Sequence, residues 1–261
     1  MIPVCIVIGI LGLLYGLFFL ENRRFRVTRD VIRHAKVQRP FRIVQVSDLH
    51  DRAFGRDSER LLAAIREAEP DFIVITGDLF NRHNASAYRN AFTFAERVTK
   101  LAPTYFAEGN HECSLGEVGE RDVEAVAQRG VHVLRDASID LPQCRLIGLR
   151  QYAEPETLKS LLDADRLNLV LAHRPERFSL YAGAGADVVL SGHAHGGQIR
   201  LFRRGVYAPG QGMFPKYTSG VHRIGASILY VSRGLGNTIF APRVFNTPEL
   251  NVIEFHPETG E

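Results

Sequence analysis

Val188-Val-Leu-Ser-Gly-His-Ala-His-Gly-Gly-Gln198 is the stretch on which the reading of this chain turns. Val188 to Leu190 is a short apolar run of the kind found in strands buried on both faces. It runs through Ser191-Gly192 into His193 and His195, two residues apart. If the chain stays extended through Ala194, period-2 geometry points both imidazoles the same way. Gly192, Gly196 and Gly197 leave room for turns and for close approach of a ligand. Imidazole is the commonest metal ligand, so two of them at the carboxyl end of a strand read as metal ligation. A turn that happens to hold two histidines is the plain alternative.

The same arrangement recurs upstream. Phe41 to Ser47 reads as a strand delivering Asp48-Leu-His50, Asp71 to Thr76 as a strand ending in Gly77-Asp78, and Thr104 to Ala107 as a strand ending in Glu108-Gly-Asn-His-Glu112. Leu167 to Ala172 is a further strand, followed by His173. Between these lie helical stripes: Ser58 to Glu69, stopped by Pro70, and Ala85 to Leu101, with Arg121 to Arg129 and Glu156 to Leu162 beyond. Strands alternating with helices predict a parallel sheet with helices outside and a ligand site at the carboxyl ends of the strands. Short strands near Val131–Leu134, Ser138–Leu141 and Arg145–Leu149 suggest an antiparallel meander. Gln198 to Phe202, Ile228 to Val231 and Leu250 to Phe255 read as additional strands. The Gly/Pro-rich stretch from Gly205 to Gly225 reads as a substrate-facing loop.

The strand ends together offer Asp48, His50, Asp78, Asn110, His111, His173, His193 and His195. One metal rarely takes more than about four protein ligands, and a catalytic ion keeps a position open, so this set suggests two ions. A carboxylate with two oxygens makes the better bridge, and Asp78 is the choice. Two ions roughly 3.5–4 Å apart can hold a hydroxide between them and bind both oxygens of an in-line phosphoryl displacement. Imidazole, carboxylate and amide oxygen together suit Mn, Fe or Zn.

Composition excludes several classes. A net charge of +3 over 261 residues is too small to argue for a nucleic acid partner. Cys5, Cys113 and Cys144 have no CxxC spacing, so neither a disulfide framework nor a zinc ribbon follows. Ile2 to Leu20 carries no charged side chain and at helical rise spans roughly 30 Å, so residues 1–22 read as an N-terminal transmembrane anchor. A cleaved signal peptide would want a basic start and a small-x-small cleavage site, and neither is present. Arg23, Arg24, Arg26, Arg29, Arg33, Lys36 and Arg39 make 23–40 a basic juxtamembrane linker. By the positive-inside rule they place a catalytic domain over 41–258 in the cytoplasm.

Asp48-Leu-His50, Gly77-Asp78-Leu79, Gly109-Asn-His-Glu112, His173 and Gly192-His-Ala-His195 occur in the order of the calcineurin-like metallophosphoesterase superfamily, which the chain resembles over about residues 41–200. Gly196-Gly-Gln198, the Pro209 to Gly220 region, Ser232-Arg-Gly-Leu-Gly236 and Pro248-Glu249 are similar to its bacterial membrane-associated YkuE/YaeI-like branch. The resemblance implies an α/β fold, a four-layer α/β/β/α sandwich with a dinuclear metal site. Carried over block by block, Asp48, His50, Asp78 and His195 hold one ion, and Asp78, Asn110, His173 and His193 the other. His111 is then a catalytic group on the leaving-group side rather than a ligand.

The activity implied is hydrolysis of phosphodiester, pyrophosphate or phosphomonoester bonds, with lipid-linked or cell-envelope substrates suggested by the anchor alone. The alternatives are a UDP-2,3-diacylglucosamine-type pyrophosphatase of lipid A synthesis, whose soluble branch has Arg-Asp where this chain has His111-Glu112, and a non-catalytic membrane scaffold with a retained metal site. Arg200, Lys216 and Arg233 are expected to be solvated, and Cys113 to be an inert buried thiol. His34, His83, His132, His222 and His256 are expected to be solvated or structural, and the sequon Asn84-Ala-Ser86 to be a chance match.

Overall fold

A run such as Phe72-Ile-Val-Ile-Thr76 has no polar face, so it has to be covered on both sides. The computed structural model describes residues 9, 12, 13, 15, 16, 18–20, 22–81, 89–202, 204–237 and 243–258, and it covers these runs with two sheets and two outer sets of helices. The strands are β1 (Arg26–His34), β2 (Phe41–Val46), β3 (Phe72–Thr76), β4 (Thr104–Ala107), β5 (His132–Val133), β6 (Ala137–Asp140), β7 (Arg145–Gly148), β8 (Asn168–Leu171) and β9 (Val188–Ser191). Four two-residue strands follow, β10 (Arg200–Leu201), β11 (Arg204–Gly205), β12 (Tyr207–Ala208) and β13 (Gly212–Met213). The set closes with β14 (Gly220–Ile224), β15 (Ser227–Val231) and β16 (Glu249–Pro257). The helices are α1 (Glu59–Ala68), α2 (Arg89–Val98), α3 (Asn110–Ser114), α4 (Glu117–Ala127), α5 (Pro155–Leu161) and α6 (Phe178–Ala184).

One six-stranded sheet has the order β1-β16-β2-β3-β4-β5 and the other β14-β15-β9-β8-β7-β6. Their facing sides bury Ile43, Val74, Leu169, Leu171, Val188 and Leu190 in a shared core, where Phe41 and Phe255 stack at 4.6 Å. The next residue along each strand points the other way. Val44, Ile73 and Ile75 meet Leu61, Leu62 and Ile65 of α1 and Phe94 of α2. On the opposite outer face, Val170 and Val189 meet Leu158 of α5 and Phe178 and Tyr181 of α6. The layers are therefore α/β/β/α. Because β2, β3 and β4 run parallel, as do β8 and β9, their carboxyl ends collect along one rim.

Several expectations change. Residues 26–34, read as part of the basic linker 23–40, form β1, which pairs in parallel with β16 at the edge of the first sheet. Alternation is present there, but charged residues on the open edge disguise it. The expected meander is split. β5 joins β4 in the first sheet, and only β6 and β7 pair as an antiparallel hairpin in the second. Gln198 to Phe202 supplies only the two residues of β10, and the stretch from Gly205 to Gly225 holds β12, β13 and β14 rather than an irregular loop. The described residues between 9 and 22 are helical. The transmembrane helix expected over 2–20 is not supported, because among the described residues no helix is long and apolar enough to cross a membrane. Much of that stretch, with Cys5, lies outside the described residues, as do His83, Asn84 to Ser86 and the first turn expected of the second helix.

Phe255 is fully buried and stacked, so Phe255→Ala should destabilise the fold by about 3–5 kcal/mol, read as a lower urea midpoint. An unchanged midpoint would mean that the two sheets do not depend on this contact.

Candidate metal centre

Each strand of the rim hands its polar residue to a tight turn. Asp48, His50, Asp78, His193 and His195 all have positive φ, between 46° and 64°. The left-handed region is uncommon for residues with a Cβ, although Asp and His enter it more readily than most, and such residues cluster at functional sites. The turns are stitched together by main chain: Asp48 N–H donates to Gly77 O, His50 N–H to Asp78 O and Asp51 N–H to Leu79 O, at 2.9–3.0 Å. Gly192 and Gly109 are required by contact. A Cβ on Gly192 would lie 1.9 Å from Ser47 Oγ, and one on Gly109 2.2 Å from Asp78 Oδ1.

Two groups of potential ligands result, both fully buried. Asp48, His50, Asp78 and His195 form one, and Asp78, His173 and His193 the other, with Asp78 common to both. Asn110 Oδ1 lies 3.1 Å from His173 Nε2, within reach of the second group. His111 stands beside them, its Nε2 3.9 Å from Asp78 Oδ2 and its ring 4.5 Å from that of His50. All eight residues singled out from the sequence are thus brought together. The premise for His193 and His195 fails, however. Ala194 is in the right-handed helical region and the turn is not extended, so the two imidazoles diverge into different groups.

The donor set fits cations. A carbonyl only accepts, so His50 Nδ1–H donates to Phe80 O (3.2 Å) and His173 Nδ1–H to Thr76 O (2.8 Å), leaving both Nε2 atoms with lone pairs. The lone pair of His173 Nε2 faces Asn110 Oδ1 and Asp78 Oδ2, the latter at 3.3 Å, so a proton or a cation has to lie between three acceptors. His195 Nδ1 accepts from Arg243 at 3.2 Å, which leaves its proton on Nε2, 3.3 Å from His50 Nε2. For His195 Nε2 to hold a cation, its ring proton would have to sit on Nδ1 and the Arg243 contact give way.

In the protein alone these groups perturb one another strongly. Burial first, with the nearby Asp78 charge, pushes the Asp48 carboxyl up to about 6, against the pull of His173. Burial works against charge on Asp78 too, but His173, His50 and His111 outweigh it and hold Asp78 well below the usual carboxylate range. Burial alone would lower His173, yet the Asp78 carboxylate wins and pushes it up to about 10. Burial lowers His50 to about 3.

The sequence alone assigns no role to four supporting residues, although Glu112 closes the Gly109-Asn-His-Glu112 block. Glu112 accepts from the backbone N–H of Asp78 (2.9 Å), Phe80 (3.0 Å) and Gly109 (2.7 Å), fastening the β3 and β4 turns together. Arg174 reaches His193 Nε2 at 3.3 Å and is held by Glu176, Gln151 and Tyr152. Arg243, fully buried, backs His195, and Asn22 at the end of the N-terminal helix grips its backbone N–H and C=O. Asn246 Nδ2–H donates to His195 O at 2.7 Å. Glu112 lies within a motif block and Arg174 directly follows His173, and those positions are the clues that could have found them. Arg243 and Asn246 come from a stretch with no pattern.

Among residues expected to be solvated, Arg200 is instead buried, donating to Gly196 O (2.7 Å), and Arg233 is half-buried 3.5 Å from Glu249. Cys113, expected to be buried, is exposed. Partial burial first, then Glu108 and Glu112, pushes its thiol up to about 11, which disfavours the thiolate at neutral pH.

A carboxylate and imidazole cage at the converging strand ends of an α/β/β/α sandwich defines a metal-dependent phosphoric ester hydrolase. The chain belongs to the calcineurin-like phosphoesterase family, which it matches over residues 41–197. Within that family it falls in the YkuE/YaeI-like branch. It is 28% identical to the uncharacterized metallophosphoesterase YkuE of Bacillus subtilis over 90% of this chain and 86% of that one. It is 30% identical to the phosphodiesterase YaeI of Escherichia coli over 82% of each. The fold is shared with the crystal structure of TT1561 of Thermus thermophilus, with a TM-score of 0.50 at 15% identity over 75% of this chain and 90% of that one.

Glu112→Ala removes the acceptor of three buried backbone donors. It should destabilise the protein by about 2–4 kcal/mol, seen as a lower melting temperature, with reduced metal content after purification. A variant that melts and loads metal like the parent would remove Glu112 from this role.

Proposed function

We propose that the chain is a membrane-associated phosphoesterase that uses a pair of divalent or mixed-valence ions (Mn, Fe or Zn) and cleaves phosphodiester or pyrophosphate bonds in preference to monoesters. The observation that carries the reading is Asp78, common to two otherwise separate ligand groups. Asp48, His50 and His195 would complete the first site, and Asn110, His173 and His193 the second. Cations bound there supply Lewis acidity, neutralise a bound phosphate and provide a nucleophile at neutral pH.

The protein's own part is to hold those ions with deprotonated ligands and to handle the leaving group. His111 is nearly buried, with its backbone N–H fixed to Asp78 Oδ1 at 2.9 Å. Its imidazole is in reach of an ester oxygen bound beside the Asp78 carboxylate, and there it would donate a proton or stabilise developing charge. Arg174, on the His193 side, would orient a phosphate oxygen.

The preference for a substituted phosphate rests on space. A groove of about 620 Å³ runs from Asn110 past Arg150, Gln151, Tyr152 and Arg174, which is room for a second group on phosphorus. The name phosphodiesterase carried by the Escherichia coli relative agrees. Membrane association rests on the uncharged stretch Ile2 to Leu20, and a cytoplasmic position for the catalytic domain on the basic residues after it. Lipid-linked or cell-envelope substrates follow from that association only.

The test is hydrolysis of bis-(p-nitrophenyl) phosphate against p-nitrophenyl phosphate with Mn²⁺, Fe²⁺ and Zn²⁺ in turn, metal content being measured alongside. The diester should be the better substrate. Asp78→Ala should lose both ions and all activity. His111→Ala should keep its ions and fall about 10²–10⁴-fold in turnover. Full metal content in Asp78→Ala, or full turnover in His111→Ala, would contradict the assignment.

A further inference from the structure

The free edges of the two sheets, β1 and β14, leave a groove of about 880 Å³ between them. Six cations line it, Arg26, Arg29, Arg200, Arg204, Lys216 and Arg233, against only Asp30 and Glu249. Glu249 is committed to Arg26 at 2.9 Å and Arg233 at 3.5 Å, and Asp30 to the Tyr230 hydroxyl. Arg29, Arg204 and Lys216 have no ion pair among the described residues. The groove therefore presents surplus positive charge to solvent.

Beside it the surface is aromatic. Phe214 lines the groove itself, and an adjoining hollow shares Arg26, Arg200 and Arg233 with it and adds Leu201, Phe202 and Phe245. Phe202 is 97% exposed, Phe214 78% and Phe245 64%. Phe245 in turn meets Phe18 of the N-terminal helix edge-on at 5.3 Å, and that helix exposes Tyr15 and Leu20. Only Arg23 to Phe25 lie between Asn22 and β1, a reach of roughly 14 Å at full extension.

Isolated exposed apolar residues are ordinary, but a continuous set rimmed by cations marks an interaction surface. Charge on an open edge strand discourages strand pairing, and that would account for Arg29. It does not account for Arg204 and Lys216 off the first sheet, nor for three phenylalanines in water. Aromatic rings next to Arg and Lys suit the boundary between acyl chains and anionic headgroups.

We propose that this face docks on an anionic bilayer surface, with Phe202, Phe214 and Phe245 entering the interface and Arg29, Arg204 and Lys216 taking lipid phosphates. The proposal rests on the membrane half of the functional reading and not on its chemistry. It sets the β1/β14 edge against the bilayer. It also brings lipid-borne esters close to the metal turns, since Arg200 is bonded to Gly196 O and Gly234, after Arg233, packs on Asp48.

The chain contains no Trp, so single probes report cleanly. F214W and, separately, Y15W are introduced into the full chain and reconstituted with vesicles of phosphatidylcholine alone or mixed with phosphatidylglycerol, with and without brominated acyl chains. With phosphatidylglycerol the F214W emission should shift to the blue and be quenched by brominated lipid several-fold more than with phosphatidylcholine alone. The quenching should be lost in about 1 M salt, where the screening length falls to roughly 3 Å, and in a background of Arg29→Glu with Lys216→Glu. Quenching of Y15W without quenching of F214W would overturn the docking face and leave the apolar helix in the membrane. Quenching of neither would overturn both. A blue shift of F214W that grows with protein concentration in the absence of lipid would assign the face to a second copy of the chain and overturn the proposal.

Discussion

Two carboxylates taken fully out of water, Asp48 and Asp78, set the terms for the whole rim. A buried carboxylate needs a cation or a fan of donors. Ser47 Oγ–H and the His193 N–H serve Asp48, and the His111 N–H serves one oxygen of Asp78. The other Asp78 oxygen faces three imidazole nitrogens at 3.3–3.9 Å, two of which present lone pairs. The protein supplies walls for positive charge more than the charge itself. Cations bound there would make the arrangement electrostatically consistent, since burial works against a proton on His50, His193 and His195, while the Asp78 carboxylate favours one on His173.

The geometry that places these groups is strained. Five left-handed residues, at roughly 1–2 kcal/mol each, accumulate in turns that a stable fold would otherwise avoid. The strain is offset by what surrounds it: main-chain bonds between the β2 and β3 turns, the three donors gathered by Glu112, and glycines at the points of closest approach. The sheets are rigid because they are buried on both faces, so the turns are held at a fixed spacing by three cores, one between the sheets and one on each outer face. Loss of one core contact loosens the frame, and loss of Glu112 would loosen the turns while leaving the frame intact.

Strands such as Phe72–Thr76 and Val188–Ser191 are legible in the sequence because burial on both sides leaves an unbroken apolar run. The polar residues that end them are legible because a buried strand has no other reason to finish in Asp or His. β1 is not legible, since an edge strand carrying Arg26, Arg29 and Arg33 has the composition of a linker. β5 reads into the wrong sheet, because two residues carry no periodicity. The separation of His193 from His195 cannot be read from spacing, which assumes an extended backbone that the turn does not have. Arg243 and Asn22 reach the centre from 48 positions beyond His195 and from the other end of the chain, and only the fold brings them near.

His193 and His195 fall in different groups of potential ligands from nearly adjacent positions, inside a turn where Gly192 and Gly197 touch neighbouring backbone or the Asp48 side chain. Insertion or deletion of even one residue there would strand a donor on the wrong side, so the length of this turn is locked. The β10–β11 and β12–β13 hairpins begin just beyond it and carry exposed tips. Their bases are tied to it, Arg200 to Gly196 O and Gly205 against Gly197, while Phe202 at the first tip stands in solvent. A change of length is therefore borne more easily at that solvent-facing tip than in the turn that feeds it.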